Sequence, residues 1–223
     1  MPCLARPSRA LPPRPRQSGA PRFFGGAAAT AFSLVEVMVV VALVSLLAFF
    51  SLPAFHSAQA ASSLASSKQI VVAELNLARQ TALSRGLGVE VRFYELPGYG
   101  ELAQAGPSTF RAMQLFTIDG ATTNVLDKVA FFPRPAKGSP DPTASPLLQG
   151  AAGGTFRLPE VGLNYRYTSL FFAPDGSLQG LGSTNVFLTL VLDHAPIREG
   201  NLPANFVTVQ IDPLTGRVFT YSP

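Results

Sequence analysis

One carboxylate, Glu36, stands near the head of an apolar run that extends to Phe55. At mid-bilayer such a charge costs on the order of 2.5–3.5 kcal/mol, so a glutamate kept here calls for a partner. Other residues able to do chemistry are sparse. His56 and His194 have no carboxylate or cysteine at metal-ligand spacing and read as structural or surface residues. There is no G-x-S-x-G elbow, Walker loop or H-E-x-x-H motif. Gly176, Gly180 and Gly182 follow a turn rather than opening a helix, so they do not read as a phosphate cradle. Asp175 and Asp212 sit beside Pro or Gly in turn sequences, where their side chains would bond the local backbone. No catalytic residue, metal ligand or cofactor is expected.

These residues imply particular elements to hold them. Val37 to Phe55 is 19 residues without a charge, long enough at about 1.5 Å per residue to cross a hydrocarbon core of roughly 30 Å. Pro53 should kink this helix rather than end it. From His56 to Arg85 the composition turns to Ala, Ser, Gln and Leu. Leu64, Val71, Leu75, Ala78 and Ala82 form one amphipathic face, and Arg85-Gly86 is a helix stop. Strands are expected from Leu87 onward: at 88–94, within 113–118 and 165–172, at 186–192 and 206–211. A last hairpin turns at 212–216. The Pro-, Gly-, Ala- and Ser-rich stretch at 133–154 reads as a mobile loop. The organisation is thus a basic leader at 1–31, a long helix at 32–86 (32–55 membrane-spanning, 56–86 amphipathic) and a β-rich domain at 87–223.

Charge follows the same division. The chain is formally +4, but five of its 17 basic residues lie at Arg6, Arg9, Arg14, Arg16 and Arg22. That leaves 12 against 13 acidic residues, or −1, for residues 32–223. The basic balance therefore does not argue for a nucleic-acid partner. A basic, proline-rich leader stays cytoplasmic, which places the C-terminal domain across the membrane. The one cysteine, Cys3, is also in the leader, so the rest can form no disulfide or thiolate metal site.

The run Ala31-Phe32-Ser33-Leu34-Val35-Glu36, with Pro53 downstream, resembles the start of type IV prepilins and type II secretion pseudopilins. In those families a peptidase cuts before a Phe, the fifth mature residue is Glu and Pro stands at the twenty-second. Counted from Phe32, all three agree; Ala31 stands where the families usually carry Gly. Leu77 to Arg85 followed by Val89 and Val91, Phe171 to Gly176, and Val207 to Ile211 followed by Thr215-Gly216-Arg217-Val218 resemble the GspH/FimT-type minor pseudopilins. The long leader with Asn205 to Arg217 is also similar to the Verru_Chthon cassette protein D group.

The resemblance implies an α+β pilin-like fold, with a membrane-anchoring helix packed on an antiparallel β-rich domain. It implies cleavage between Ala31 and Phe32, N-methylation of Phe32, and assembly through Phe32, Glu36 and Pro53. The implied partners are a prepilin peptidase, other pilin or pseudopilin subunits, an inner-membrane assembly platform and the lipid bilayer. The implied location is the bacterial inner membrane, with the domain periplasmic and the subunit later in a fibre. Calcium, bound by major pseudopilins near their C-terminal end, is the competing reading for Asp175 and Asp212. Alternatives stay open. The export segment could be a secretory signal cut after Ala58-Gln59-Ala60, or an unprocessed signal anchor. The task could be that of a minor pilin binding DNA or a secreted substrate, or an anchored periplasmic enzyme. Relatives implicated in DNA uptake carry a second Arg shortly after the final Gly-Arg; here that place is Phe219.

Overall fold

The computed structural model describes residues 32–97, 109–149, 153–158, 162–180, 186–193 and 202–223, without the side chains of 51–54 and 56. The chain divides into two compact units, residues 1–48 and 49–223. It is α+β, with a long α-helix, a short 3-10 helix and an antiparallel sheet.

Helix α1 runs Leu34–Arg85. It starts where the Ser33 hydroxyl accepts the Glu36 N–H at 3.1 Å, satisfying a donor that the first turn would leave unpaired. It continues through Pro53 and ends at Gly86, whose positive φ of 65° suits glycine, with its N–H bonded to the Ala82 carbonyl at 2.9 Å. Leu64, Val71, Leu75, Ala78 and Ala82 are all buried, so the expected amphipathic face packs into the core.

Eleven strands form the sheet: β1 (Gly88–Leu96), β2 (Thr109–Asp119), β3 (Thr122–Val125), β4 (Ala130–Phe131), β5 (Ala136–Gly138), β6 (Gly153–Arg157), β7 (Asn164–Phe172), β8 (Leu178–Gln179), β9 (Phe187–Leu192), β10 (Phe206–Ile211) and β11 (Val218–Tyr221). The main order is β11-β10-β9-β5-β2-β1-β7-β6, with β3 and β4 on β2 and β8 on β7. Period-2 alternation then divides the side chains between two faces. Val91 and Phe93 of β1, Met113 and Leu115 of β2, and Leu188 and Leu190 of β9 join the helix residues in the main core. Tyr94, Ala112, Leu158 and Tyr165 form a second cluster with Phe156 and Tyr167.

The segment expected to be a mobile loop at 133–154 supplies structural elements instead. Its residues 136–138 form β5, which pairs with β2 through Phe110–Gly138 and with β9 through three residue pairs, and so joins the two halves of the sheet. Glycine suits position 138 because a Cβ there would lie 3.0 Å from Phe110 Cβ, tighter than ordinary contact. Pro146–Leu148 forms the 3-10 helix, with Leu147 and Leu148 buried. Composition suggested a loop because Pro and Gly are loop formers in general. Here a small residue stands where two strands approach closely.

Candidate functional site

The N-terminal part of α1 carries the candidate site. Fourteen large apolar side chains from Phe32 to Phe50 are each at least 51% exposed, on every side of the helix. Glu36 is exposed in the first turn, and no ion pair to it occurs among the described residues. Ser33 and Glu36 stand at the spacing of a capping box, N-cap serine and N3 glutamate. This role was legible as Ser-x-x-Glu before an apolar run. It gives the carboxylate a local function beside any assembly role, because a negative charge is favourable at a helix N-terminus. Ala31 lies outside the described residues, as do His194 and the side chains of Pro53 and His56. Among the described residues no helix is long and apolar enough to cross a membrane. The unbroken run of described side chains ends at Phe50, with Phe55 described again beyond it; 34–50 is seventeen residues, against about 20 for a full span.

Asp175 and Asp212 act in their turns. Asp175 Oδ1 accepts the Ser177 N–H at 2.9 Å and the Ser177 hydroxyl at 2.6 Å. Asp212 accepts the Leu214 N–H at 3.0 Å and the Thr215 hydroxyl at 2.6 Å. These bonds, the hydroxyl ones first, hold both carboxyls below their usual range. The turns dock on α1: Arg79 Nε donates to the Thr215 carbonyl at 2.7 Å. Gly216 has a φ of 62°, and a Cβ there would collide with the Gly176 carbonyl.

Two polar clusters escaped sequence reasoning. Alternation in β1 puts Glu90 and Arg92 opposite the main core, where solvent would be the simple expectation. Instead they are buried and paired, Arg92 Nη2 to Glu90 Oε2 at 2.7 Å. The Arg92 guanidinium carbon lies 4.0, 4.6 and 4.9 Å from the ring centroids of Phe116, Tyr167 and Phe156. Burial opposes its charge, but the bond and charge of Glu90 outweigh it and push the guanidinium pKa further up. Burial also pushes the neighbouring Tyr94 hydroxyl up to about 12, where it donates to Gln114 Oε1 at 3.2 Å.

The second cluster binds the sheet halves. Arg111 of β2 holds Asp193 through two bonds of 2.9 and 2.7 Å, and Lys137 of β5 lies 3.5 Å from the same carboxylate. Burial alone would raise Asp193, but the hydrogen bonds and charge of Arg111, with Lys137, hold it below the usual carboxylate range.

A cavity of about 300 Å³ is lined by Asp141, Thr143, Phe187, Thr189, Leu202 and Thr208. Thr143 already occupies Asp141 Oδ1 at 2.7 Å, and the Thr189 and Thr208 hydroxyls bond each other at 3.0 Å. Compared with known proteins, the chain matches no family model, no curated protein and no solved structure.

Proposed function

We propose that this chain is a non-enzymatic, pilin-like subunit of the minor pseudopilin type, anchored in the bacterial inner membrane and assembled into a type II secretion pseudopilus or a type IV pilus-like fibre. The observation that carries the reading is the all-round apolar exposure from Phe32 to Phe50. Fully burying one such side chain is worth about 1.5–3 kcal/mol. Fourteen that are half exposed or more leave on the order of 10–20 kcal/mol unrealised in water, comparable to the whole stability of a domain. Lipid, and then the helices of neighbouring subunits, would supply that burial. The later part of α1, packed on its own sheet, has no such need.

In this mechanism a prepilin peptidase cuts between Ala31 and Phe32, and the new Phe32 amine is methylated. An assembly platform then draws the subunit from the bilayer. Glu36 pairs with the Phe32 amine of a neighbour, which sets the axial register, the best-attested use of a buried ion pair. The Ala31–Phe32 junction and the spacing of Phe32, Glu36 and Pro53 support this route.

The experiment is N-terminal mass spectrometry of the membrane-extracted chain together with Glu36→Leu. The expected outcome is a mature start at Phe32 in both, and poor cross-linking of the variant to partner subunits. A start at Ala61 would sink the processing route. Normal assembly by Glu36→Leu would remove the carboxylate from the mechanism.

A further inference from the structure

We infer that the outer face of β9, β10 and β11, together with the cavity beside the 141–144 turn, is a binding site for a neutral β-1,4-linked oligosaccharide. Leu188, Leu190, Val207, Val209 and Ile211 turn the inner face of these strands into the main core. Alternation sends the residues between them to the outer face. There the registers align two cross-strand rows, Phe187–Gln210–Phe219 and Thr189–Thr208–Tyr221. Phe187, Thr189 and Thr208 also line the cavity of about 300 Å³, with Asp141 and Thr143 of the turn. That volume is at the lower limit of small-molecule sites, room for one sugar ring.

The side chains on this face combine aromatic surface with open hydrogen-bonding capacity. Phe219 and Tyr221 are 47% and 54% exposed, and their ring faces suit the C–H face of a pyranose. Thr143 fills one oxygen of Asp141, through its N–H at 2.9 Å and its hydroxyl at 2.7 Å. These bonds, the hydroxyl one first, hold the carboxyl below its usual range. At neutral pH it is therefore ionised, and its second oxygen remains an acceptor. The Gln210 side-chain amide is half-buried in the row between Phe187 and Phe219. It makes no hydrogen bond among the described residues and can both donate and accept. The Thr189–Thr208 hydroxyl pair, 3.0 Å apart, spends one donor and one lone pair on itself and keeps the rest. Adjacent hydroxyls of a sugar ring need such neighbouring donors and acceptors.

Charge and polarity argue against other occupants. The cavity lining holds one carboxylate and no cation, which disfavours phosphate. The cations nearest by register each stand by a carboxylate of their own. Lys137, opposite Val191, lies 3.5 Å from Asp193, and the charge of Arg217, just before β11, acts on Asp212. An apolar partner would bury the Gln210 amide and the Asp141 oxygen without hydrogen bonds, a cost that a polyhydroxylated ligand avoids. Neighbouring strands are about 5 Å apart, the length scale of one pyranose unit. A chain lying across them can seat one ring in the cavity and stack the following rings on Tyr221 and Phe219. A β-1,4 linkage keeps successive rings in one flat ribbon, which suits a sheet face.

The test is calorimetric titration of the full chain, in a zwitterionic detergent without a sugar headgroup, with cellohexaose, chitohexaose and a hexathymidylate oligonucleotide. The expected result is saturable binding of at least one neutral oligosaccharide and none of the oligonucleotide. Phe219→Ala and Tyr221→Ala should each weaken that binding by roughly fivefold. Val125→Ala, at an exposed position on β3, should leave it unchanged. Methyl NMR signals of Thr189 and Thr208 should shift during titration of the unsubstituted chain, which locates the ligand even if a variant folds poorly. Three outcomes overturn the site: no binding of either oligosaccharide, binding that leaves Thr189 and Thr208 unmoved, or equal or tighter binding of the oligonucleotide. None of them touches the anchored reading, which the N-terminal mass spectrum tests separately.

Discussion

Glu36 and Arg92 carry charge in settings that disfavour it, and they meet the difficulty differently. Glu36 lies in an apolar helix but in its first turn, where the macrodipole favours it and Ser33 caps the N–H it carries. Ser33→Ala should cost about 1 kcal/mol of local stability, seen as roughly fivefold faster exchange of the Glu36 amide in detergent-solubilised chain; unchanged exchange would show the cap to be idle. Arg92 is enclosed by three rings and paired with Glu90. Arg92→Met leaves Glu90 buried without its partner, so about 3–5 kcal/mol should be lost in denaturant unfolding. Adding Glu90→Met should recover part of that loss. If the double variant is no more stable than the single, the aromatic contacts rather than the charge pair carry the effect.

At the scale of elements, three-residue β5 has an influence out of proportion to its length. It is the strand that joins the β1–β2 half of the sheet to the β9–β11 half. Asp193 reinforces the join by holding cations from both β2 and β5. Because its folded pKa is depressed, its contribution is present above the unfolded value of about 3.9. It is lost as pH falls through the lower folded value. Asp141, Asp175 and Asp212 shift in the same direction, so the informative quantity is a difference. Asp193→Asn should lower stability at neutral pH and flatten the acid limb of stability against pH relative to the unsubstituted chain. Parallel curves for the two proteins would contradict the assignment.

For the whole molecule, the division at residues 48 and 49 separates a part whose described residues, 32–48, enter neither hydrophobic cluster from one that holds both. A chain beginning at His56 keeps every buried helix residue from Leu64 onward. It should be soluble and monomeric, with mixed helix and strand in circular dichroism. Aggregation or an unfolded spectrum would mean that residues 32–55 stabilise the domain as well as anchoring it.

Amphipathic periodicity alone determined which face of α1 would be buried, since Leu64, Val71, Leu75, Ala78 and Ala82 can share a face only at helical spacing. Alternation located the long parts of β1, β7 and β10, and Asp-Pro and Pro-Asp-Gly signals located the turns that dock on Arg79 and Leu83. The apolar run and its glutamate were equally plain, because local spacing needs no knowledge of the fold. What the tertiary structure decided was pairing across distance. Nothing local shows that 136–138 lies between β2 and β9, or that Phe116, Phe156 and Tyr167 converge on Arg92. A strand's pattern reports which residues alternate, but not what lies above either face. Burial of a polar pair arises only when strands distant in sequence meet.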